Sequence, residues 1–271
     1  MKRVSFQGEY GAYSESAAKK FFKEEIETVP CNSFEEALKL TENRESDYTI
    51  LPVENSIEGT VGQSIDAITH TELYAIGEEY FKVEHCLISI GKLEDIETVY
   101  SHPQALGQCS DFIKTRQLKT VPTYDTAGSV KIIKEINDTQ SAAIASNDAG
   151  NLYKIPIVKQ GIENNTNNYT RFLIFSRENS IEGIEDKTSI IFSVKHEPGA
   201  LYQILKEFND NNINLTKIES RPNKNTNWEY NFFVDFVGHF SNSKIKSLLD
   251  VISENTIFLK IIGSYPVVDL D

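Results

Sequence analysis

No stretch of this 271-residue chain approaches the roughly 18 consecutive apolar residues that a membrane-spanning helix requires. The opening Met1-Lys2-Arg3 is not followed by an apolar segment, so no secretory leader is expected and the expected location is the cytoplasm. Cysteine is scarce: Cys31, Cys86 and Cys109 are odd in number and far apart, which gives neither a disulfide framework nor a zinc-ligand spacing. Histidines 70, 85, 102, 196 and 239 are equally scattered, so no metal and no cofactor is expected. Basic residues are also in deficit. The 27 Lys and Arg against 40 Asp and Glu leave a formal net charge of −13, which argues against nucleic acid and anionic membranes as partners. A small anionic substrate is still compatible, because a pocket can be locally positive inside an acidic protein. What is present is ordinary globular composition, 39% hydrophobic and 25% charged, in a chain long enough for one large domain or two smaller ones.

The first 180 residues alternate strand-like and helix-like segments. Val4-Ser5-Phe6 reads as a strand running into the turn Gly8-Glu9-Tyr10-Gly11. Ser14 then caps a helix with Ala17, Ala18, Phe21 and Phe22 at helical spacing, and Ser33 with Glu36 forms a capping-box pattern. Tyr48 to Val53 is an apolar strand ending at Glu54-Asn55-Ser56. Further strands are predicted at 98–101, 142–145 and 171–175, and helices from about Pro103 and Thr126. This alternation predicts α/β architecture with mainly parallel sheet. Binding residues of such sheets gather beyond the strand C-termini, where Glu54-Asn55-Ser56, Ser101-His102 and Ser146-Asn147 all fall, so one cleft built from several loops is expected.

The character changes after Ser180. Residues 181–187 are charged and aperiodic and read as a linker. Beyond them Ile190, Phe192 and Val194 alternate as in a strand, and Leu201, Ile204, Leu205 and Phe208 repeat as in a helix. Strands at 213–220 and 228–237, a helix marked by Ile245, Leu248, Leu249 and Ile252, and a strand at 258–262 complete a βαββαβ order, the ferredoxin-like plan.

Six segments occur in order: Gly8-x-x-Gly11-x-Tyr13-Ser14, Pro52-Val53-Glu54-Asn55-Ser56-x-Glu58-Gly59, Ser101-His102-Pro103-Gln104-Ala105-Leu106-x-Gln108-Cys109, Asp125-Thr126-Ala127-Gly128-Ser129, Ala142-Ala143-Ile144-Ala145-Ser146 and Asn167-Asn168-x-Thr170-Arg171-Phe172. Together with Gly199-Ala200-Leu201 and Glu219-Ser220-Arg221-Pro222 they make the chain resemble the prephenate dehydratase family over nearly its whole length. Val130, Asn164, Glu9 and Ala12 depart from common family residues.

The resemblance implies a catalytic region, residues 1–180, folded as two α/β lobes like a type II periplasmic binding protein. The lobes are expected near 1–78 with 155–180, and 79–154. It implies an α+β ACT regulatory domain over 187–271. With Val4 already in a strand, no chorismate mutase domain is expected ahead of the dehydratase. The implied activity is conversion of prephenate to phenylpyruvate, water and CO2 in L-phenylalanine biosynthesis, feedback-inhibited by L-phenylalanine. L-Arogenate as the substrate and a non-catalytic amino-acid sensor are the alternatives.

Prephenate carries two carboxylates and a ring hydroxyl. An enzyme must orient the dianion and assist departure of the hydroxyl. The resemblance assigns the assisting hydroxyl to Thr170. Arg171, one of only six arginines, offers a planar charged fork for a carboxylate, and Phe172 would wall the ring and exclude water. Asn55, Ser56, Ser101, Gln108 and Thr126 are expected to bind substrate as uncharged donors. Glu54 and Asp125 are expected in structural or contact roles, because a further anion would repel a dianion. His102 reads as a structural loop residue and Cys109 as core. Gly199, Ala200, Leu201, Glu219, Ser220, Arg221 and Pro222 are expected to hold L-phenylalanine between two ACT domains, which implies a homodimer or a dimer of dimers.

Overall fold

The structure, a computed structural model, describes residues 1–222 and 230–269, and its strands form three sheets. In chain order the first lobe holds β1 (Lys2–Gln7), α1 (Tyr13–Phe22), β2 (Ile26–Cys31), α2 (Phe34–Glu42), β3 (Tyr48–Asn55), β4 (Gly59–Thr60), α3 (Gly62–His70) and β5 (Tyr74–Lys82). The second holds β6 (Cys86–Ile88), β7 (Thr98–Ser101), α4 (Pro103–Gln108), α5 (Ser110–Thr115), β8 (Lys119–Pro122), α6 (Thr126–Ile136), β9 (Ser141–Ala145), α7 (Asn147–Tyr153) and β10 (Ile157–Lys159). The chain returns to the first sheet as β11 (Tyr169–Ser176). The C-terminal module follows as β12 (Asp186–Ser193), α8 (Ala200–Asp210), β13 (Leu215–Pro222), β14 (Tyr230–Val237), α9 (Ser243–Glu254) and β15 (Phe258–Pro266).

The sheet orders are β2-β1-β3-β11-β5 and β10-β6-β9-β7-β8, so each lobe is α/β as the alternation predicts. The sheets are mixed rather than mainly parallel. β1 is parallel to β2 and β3, and β7 to β8 and β9, but β11 runs against both β3 and β5, and β6 against β9 and β10. Apart from the two-residue β4, which pairs antiparallel with β3, the antiparallel strands are those next to the passages between lobes, where the chain leaves one sheet and comes back. Residues 83–85 and 160–168 form these passages, later than the sequence division at 79 and 155 suggests, because β5 stays with the first sheet to Lys82 and β10 pairs with β6. The first passage is three residues long, and the second holds four asparagines in nine residues.

Local chemistry accounts for the helix starts around the cleft. Ser33 Oγ accepts from Glu36 N at 3.1 Å, and the Glu36 carboxylate accepts from Asn32 N at 2.7 Å, a capping box with its return bond shifted one residue upstream. His102 caps α4 through Nδ1, which accepts from Gln104 N at 3.3 Å, and Pro103 takes the first helical position, where a missing N–H costs nothing. Asp125 caps α6, which begins at Thr126 as the sequence predicts. Ser14 does not cap α1: Ala12 holds that position and Ser14 lies inside the first turn.

The third sheet, β13-β14-β12-β15, is antiparallel with the ferredoxin-like order. Period two divides its side chains. Ile190, Phe192, Val234 and Phe236 pack beneath α8 and α9, while Ile191, Phe233, Ile262 and Tyr265 face the other way, onto Leu51, Leu173 and Phe175 of the first lobe. Each such buried side chain contributes about 1.5–3 kcal/mol, so the module is welded to the catalytic sheet. Gly263 permits this approach: a Cβ there would lie 2.1 Å from the Ala75 carbonyl oxygen. Of the expected linker, Asp186 and Lys187 already belong to β12. The expected third strand begins at Trp228, and Trp228 and Glu229 lie outside the described residues.

Candidate active site

A cleft of about 760 Å³ lies between the two lobes. From the first lobe Ser14, Asn55, Thr170 and Phe172 line it, and from the second Gln104, Gln108, Asp125 and Thr126, with His85 between them on a passage. No Lys or Arg lines it among the described residues. The positive potential available to an anion therefore comes from amide donors and from the first turns of α1 and α6.

β11 decides the placement of the three adjacent residues with the clearest expectations. Successive side chains of a strand point to opposite faces. Thr170 and Phe172 line the cleft, and Phe172, 1% exposed, also packs in the core with Phe6 and Ile174. Arg171 points away, toward the C-terminal module, and is 4% exposed. Its Nε donates to Glu78 at 2.7 Å, one terminal nitrogen to Asp235 at 2.5 Å, and the other to the Tyr265 hydroxyl at 2.8 Å. The expectation that Arg171 anchors a substrate carboxylate is thus corrected: the guanidinium does not line the cleft, and all three of its nitrogens have partners.

Asn55 also takes a different part from the one expected. Its Oδ1 accepts from the backbone N–H groups of Ile57 and Glu58, both at 3.0 Å, which fixes the amide orientation. The amide protons then go to Asn168 Oδ1 at 2.7 Å and Thr170 Oγ1 at 3.0 Å. Asn55 is at the cleft, but its donors are spent on protein. The consequence falls on Thr170: its oxygen is an acceptor from Asn55, and among the described residues its own O–H has no acceptor, leaving that proton for a group in the cleft.

The polarity propagates. Asn168, fully buried, passes its own N–H to Gln108 Oε1 at 3.0 Å. Gln108 Oε1 also meets His85 Nε2 at 2.9 Å, so that nitrogen carries the ring proton, and Nδ1 accepts from the Tyr13 hydroxyl at 2.9 Å. The Tyr13 proton is shared with the Glu84 carbonyl at 2.8 Å. Burial lowers the His85 pKa, which agrees with this neutral tautomer, and burial raises the Tyr13 phenol. Gln108 keeps its Nε2, loosely placed 3.4 Å from Glu58, as a donor that can turn to a ligand.

Ser101 and Ser56 do not reach the cleft. Ser101 is fully buried, its hydroxyl donating to the Ile144 carbonyl at 2.6 Å, and Ser56 bonds Asn167 and Tyr169 on the exposed side. Both sit just beyond strand ends, where the sequence pattern is the same for a binding serine and a turn-closing one. Thr126 lines the cleft at the first turn of α6. Cys109 is fully buried core, and burial pushes its thiol up. Glu54 is held by Lys217 of β13 at 2.8 Å. Asp125 caps Gly128 N through one oxygen, while Oδ2 is buried without a partner among the described residues; burial raises this carboxyl. The residues that sequence reasoning passed over are His85, Tyr13 and Asn168. Asn168 stands in the segment before Thr170, but nothing local marks it as a bridge to residues 55 and 108.

In the C-terminal module, Gly199 adopts a left-handed φ of 87° at the N-cap of α8, with Ala200 and Leu201 opening the helix. Glu219, Ser220, Arg221 and Pro222 end the edge strand β13. Ser220 and Pro222 are exposed there. Arg221 leans onto α3 of the first lobe, 3.5 Å from Asp66 and so close to Gly62 that a Cβ there would lie 2.0 Å from the guanidinium.

Residues 4–180 match the family model of prephenate dehydratase, and residues 188–254 that of the ACT domain. The chain is 36% identical over 267 residues to a bifunctional chorismate mutase/prephenate dehydratase of Neisseria gonorrhoeae, covering 97% of this chain and 74% of that one. It is 38% identical over 278 residues to arogenate dehydratase/prephenate dehydratase 2, chloroplastic, of Arabidopsis thaliana, covering 98% and 73%. Among solved structures, the prephenate dehydratase of Arthrobacter aurescens in complex with L-Phe superposes with a TM-score of 0.88 at 28% identity, covering 98% of this chain and 90% of that one. GqqA, described as a novel type of quorum quenching acylase, superposes at 0.89 with 29% identity, covering 98% of each chain. A two-lobed α/β region with the Thr-Arg-Phe strand at its cleft, followed by a ferredoxin-like module, agrees with both family matches, and the chain belongs to the prephenate dehydratase family.

Proposed function

We propose that this protein converts prephenate to phenylpyruvate, water and CO2, with Thr170 assisting departure of the ring hydroxyl. The observation that carries the assignment of Thr170 is its uncommitted O–H at the cleft, fixed in direction by Asn55 Nδ2. In the reaction the C–C bond to the ring carboxylate breaks and releases CO2. Its electron pair completes the aromatic ring as the C–O bond breaks, and the hydroxyl leaves with one proton as water. A threonine hydroxyl is too weak an acid to supply that proton alone, so it donates as the C–O bond stretches and is replenished from solvent. Such a preorganised donor contributes a few kcal/mol at the transition state. Gln108 Nε2, Thr126 and the first turns of α1 and α6 orient the carboxylates, and Phe172 excludes water. A cleft without Lys or Arg suits the chemistry, because a cation on the ring carboxylate would oppose its loss as CO2.

L-Phenylalanine bound at the ACT domain inhibits, with Gly199–Leu201 and Glu219–Pro222 as its site, and the protein acts in the cytoplasm as a homodimer or dimer of dimers. The match to an L-Phe-bound relative supports the effector. The ultraviolet assay for phenylpyruvate tests the activity, and folded protein without turnover overturns it in favour of an amino-acid sensor. Adding L-Phe to that assay and to sedimentation tests the regulation. The match to relatives named arogenate dehydratases supports L-arogenate as a second substrate. The ratio of kcat/KM for the two substrates decides between them.

A further inference from the structure

We propose that Arg171 is a positioning residue: it fastens the strand bearing Thr170 to the ACT sheet, so that the regulatory domain holds the reactive hydroxyl in place. The inference rests on the functional reading of Thr170 given above.

Four observations carry it. First, Arg171 is covalently next to Thr170 and Phe172 but faces the other side of β11, where its guanidinium meets Glu78 of the first lobe and both Asp235 on β14 and Tyr265 on β15. Second, the pairing of β11 with β3 shifts register between Arg171 and Phe172, so the ladder that would otherwise set the backbone here is interrupted at this point. The side-chain hold on Arg171 takes over part of that task. Third, the cluster is nearly dry at its centre, and it continues to Glu54, which lies 3.9 Å from a terminal nitrogen of Arg171. Lys187 Nζ lies 2.9 Å from Glu78, Ser189 Oγ bonds Asp235 and Tyr265, and Glu78 and Asp235 are both fully buried. Two cations and two anions therefore balance inside it, and moving the ACT sheet would part Lys187 from Glu78 and Asp235 from Arg171 at high cost. Fourth, the same two units are joined a second time beside the cleft. Lys217 of β13 pairs with Glu54 at 2.8 Å, and Glu54 immediately precedes Asn55, the residue that orients Thr170. β13 also carries Glu219 to Pro222. Any shift of β13 and β14 relative to β11 and β3 is therefore felt at both ends of the Asn55–Thr170 hydrogen bond.

A carboxylate anchor and a positioning residue differ in the kinetic constant they move. Asp235→Asn, Arg171→Lys and Tyr265→Phe are to be made in the full chain and compared with wild type for kcat and KM with prephenate, for L-Phe inhibition, and for hydrogen exchange at the amides of residues 169–173. Tyr265→Phe removes one hydroxyl and keeps the packing, so it serves if the charge variants fail to fold. The expected result is a kcat lowered about fivefold or more with KM within about twofold, L-Phe inhibition weakened by a similar factor, and faster exchange in β11. Arg171→Lys with raised KM and unchanged kcat would restore the anchor role and overturn the proposal. Folded variants with wild-type kcat, L-Phe response and exchange would also overturn it, leaving the cluster as structural glue. Wild-type protein inactive on prephenate would defeat the functional reading alone, and the exchange data would still decide whether the ACT sheet holds β11.

Discussion

The two sides of β11 are built from opposite chemistry. On the cleft side Asn55, Gln108, Asn168 and Thr170 are joined by neutral hydrogen bonds, and no Lys or Arg lines the wall among the described residues. On the ACT side, one side chain away, Arg171, Lys187, Glu78 and Asp235 form a buried ionic cluster. A buried charge needs a fixed partner of opposite sign, which a seam between two permanent surfaces provides and a cleft that exchanges ligands does not. The cleft also has to release a carboxylate as CO2, so its donors are better neutral. Arg171 thus belongs to the seam, while Thr170 beside it faces the cleft.

Breaking the cleft side should have the largest effect on turnover. Thr170→Val keeps the shape and loses the hydroxyl, and kcat is expected to fall about 10²–10³-fold with little change in KM; steady-state assays check this, and near-normal turnover would remove Thr170 from its role. Breaking the seam should instead cost stability. Glu78→Gln leaves Arg171 and Lys187 short of an anion in a fully buried place, and urea unfolding should show a loss of about 3–5 kcal/mol.

A smaller effect sharpens the contrast through pH. Burial lowers the His85 pKa below its ordinary value of 6.5, so the unfolded chain binds this proton more readily than the folded one. Its contribution is complete above 6.5 and is lost as pH falls from there toward the folded value, because an imidazolium can no longer accept from Tyr13. Unfolding midpoints measured from about pH 8 to about pH 5 should decline in wild type and decline less in His85→Asn. The smallest effect is expected at Lys206–Asp210, an exposed pair one helical turn apart on α8, where Lys206→Ala should leave the melting temperature unchanged.

Much of the architecture was legible because it rests on local rules. The Ser33–Glu36 cap, the helix from Thr126, the buried strand at 142–145 and the βαββαβ order follow from residue type and period. Parallel or antiparallel pairing was not legible, since β11 meets β3 and β5 from more than 80 positions away in sequence. The site divides similarly. Gln108, Thr126, Thr170 and Phe172 reach the cleft as expected, while Ser56 and Ser101 lie just past strand ends and turn elsewhere. Asn55 is in place, but its protons are claimed by Asn168 and Thr170, which no spacing reveals.

Thr170-Arg171-Phe172 marks where the two kinds of information part. The sequence alone determined that the first and third side chains share a face and that the second opposes them, because strand alternation is a property of neighbouring residues. Which face meets the cleft, and what covers the other, came only from tertiary structure. The partners of Arg171 lie 93, 64 and 94 positions away, at Glu78, Asp235 and Tyr265, and only packing the ACT sheet against the first lobe brings them to it.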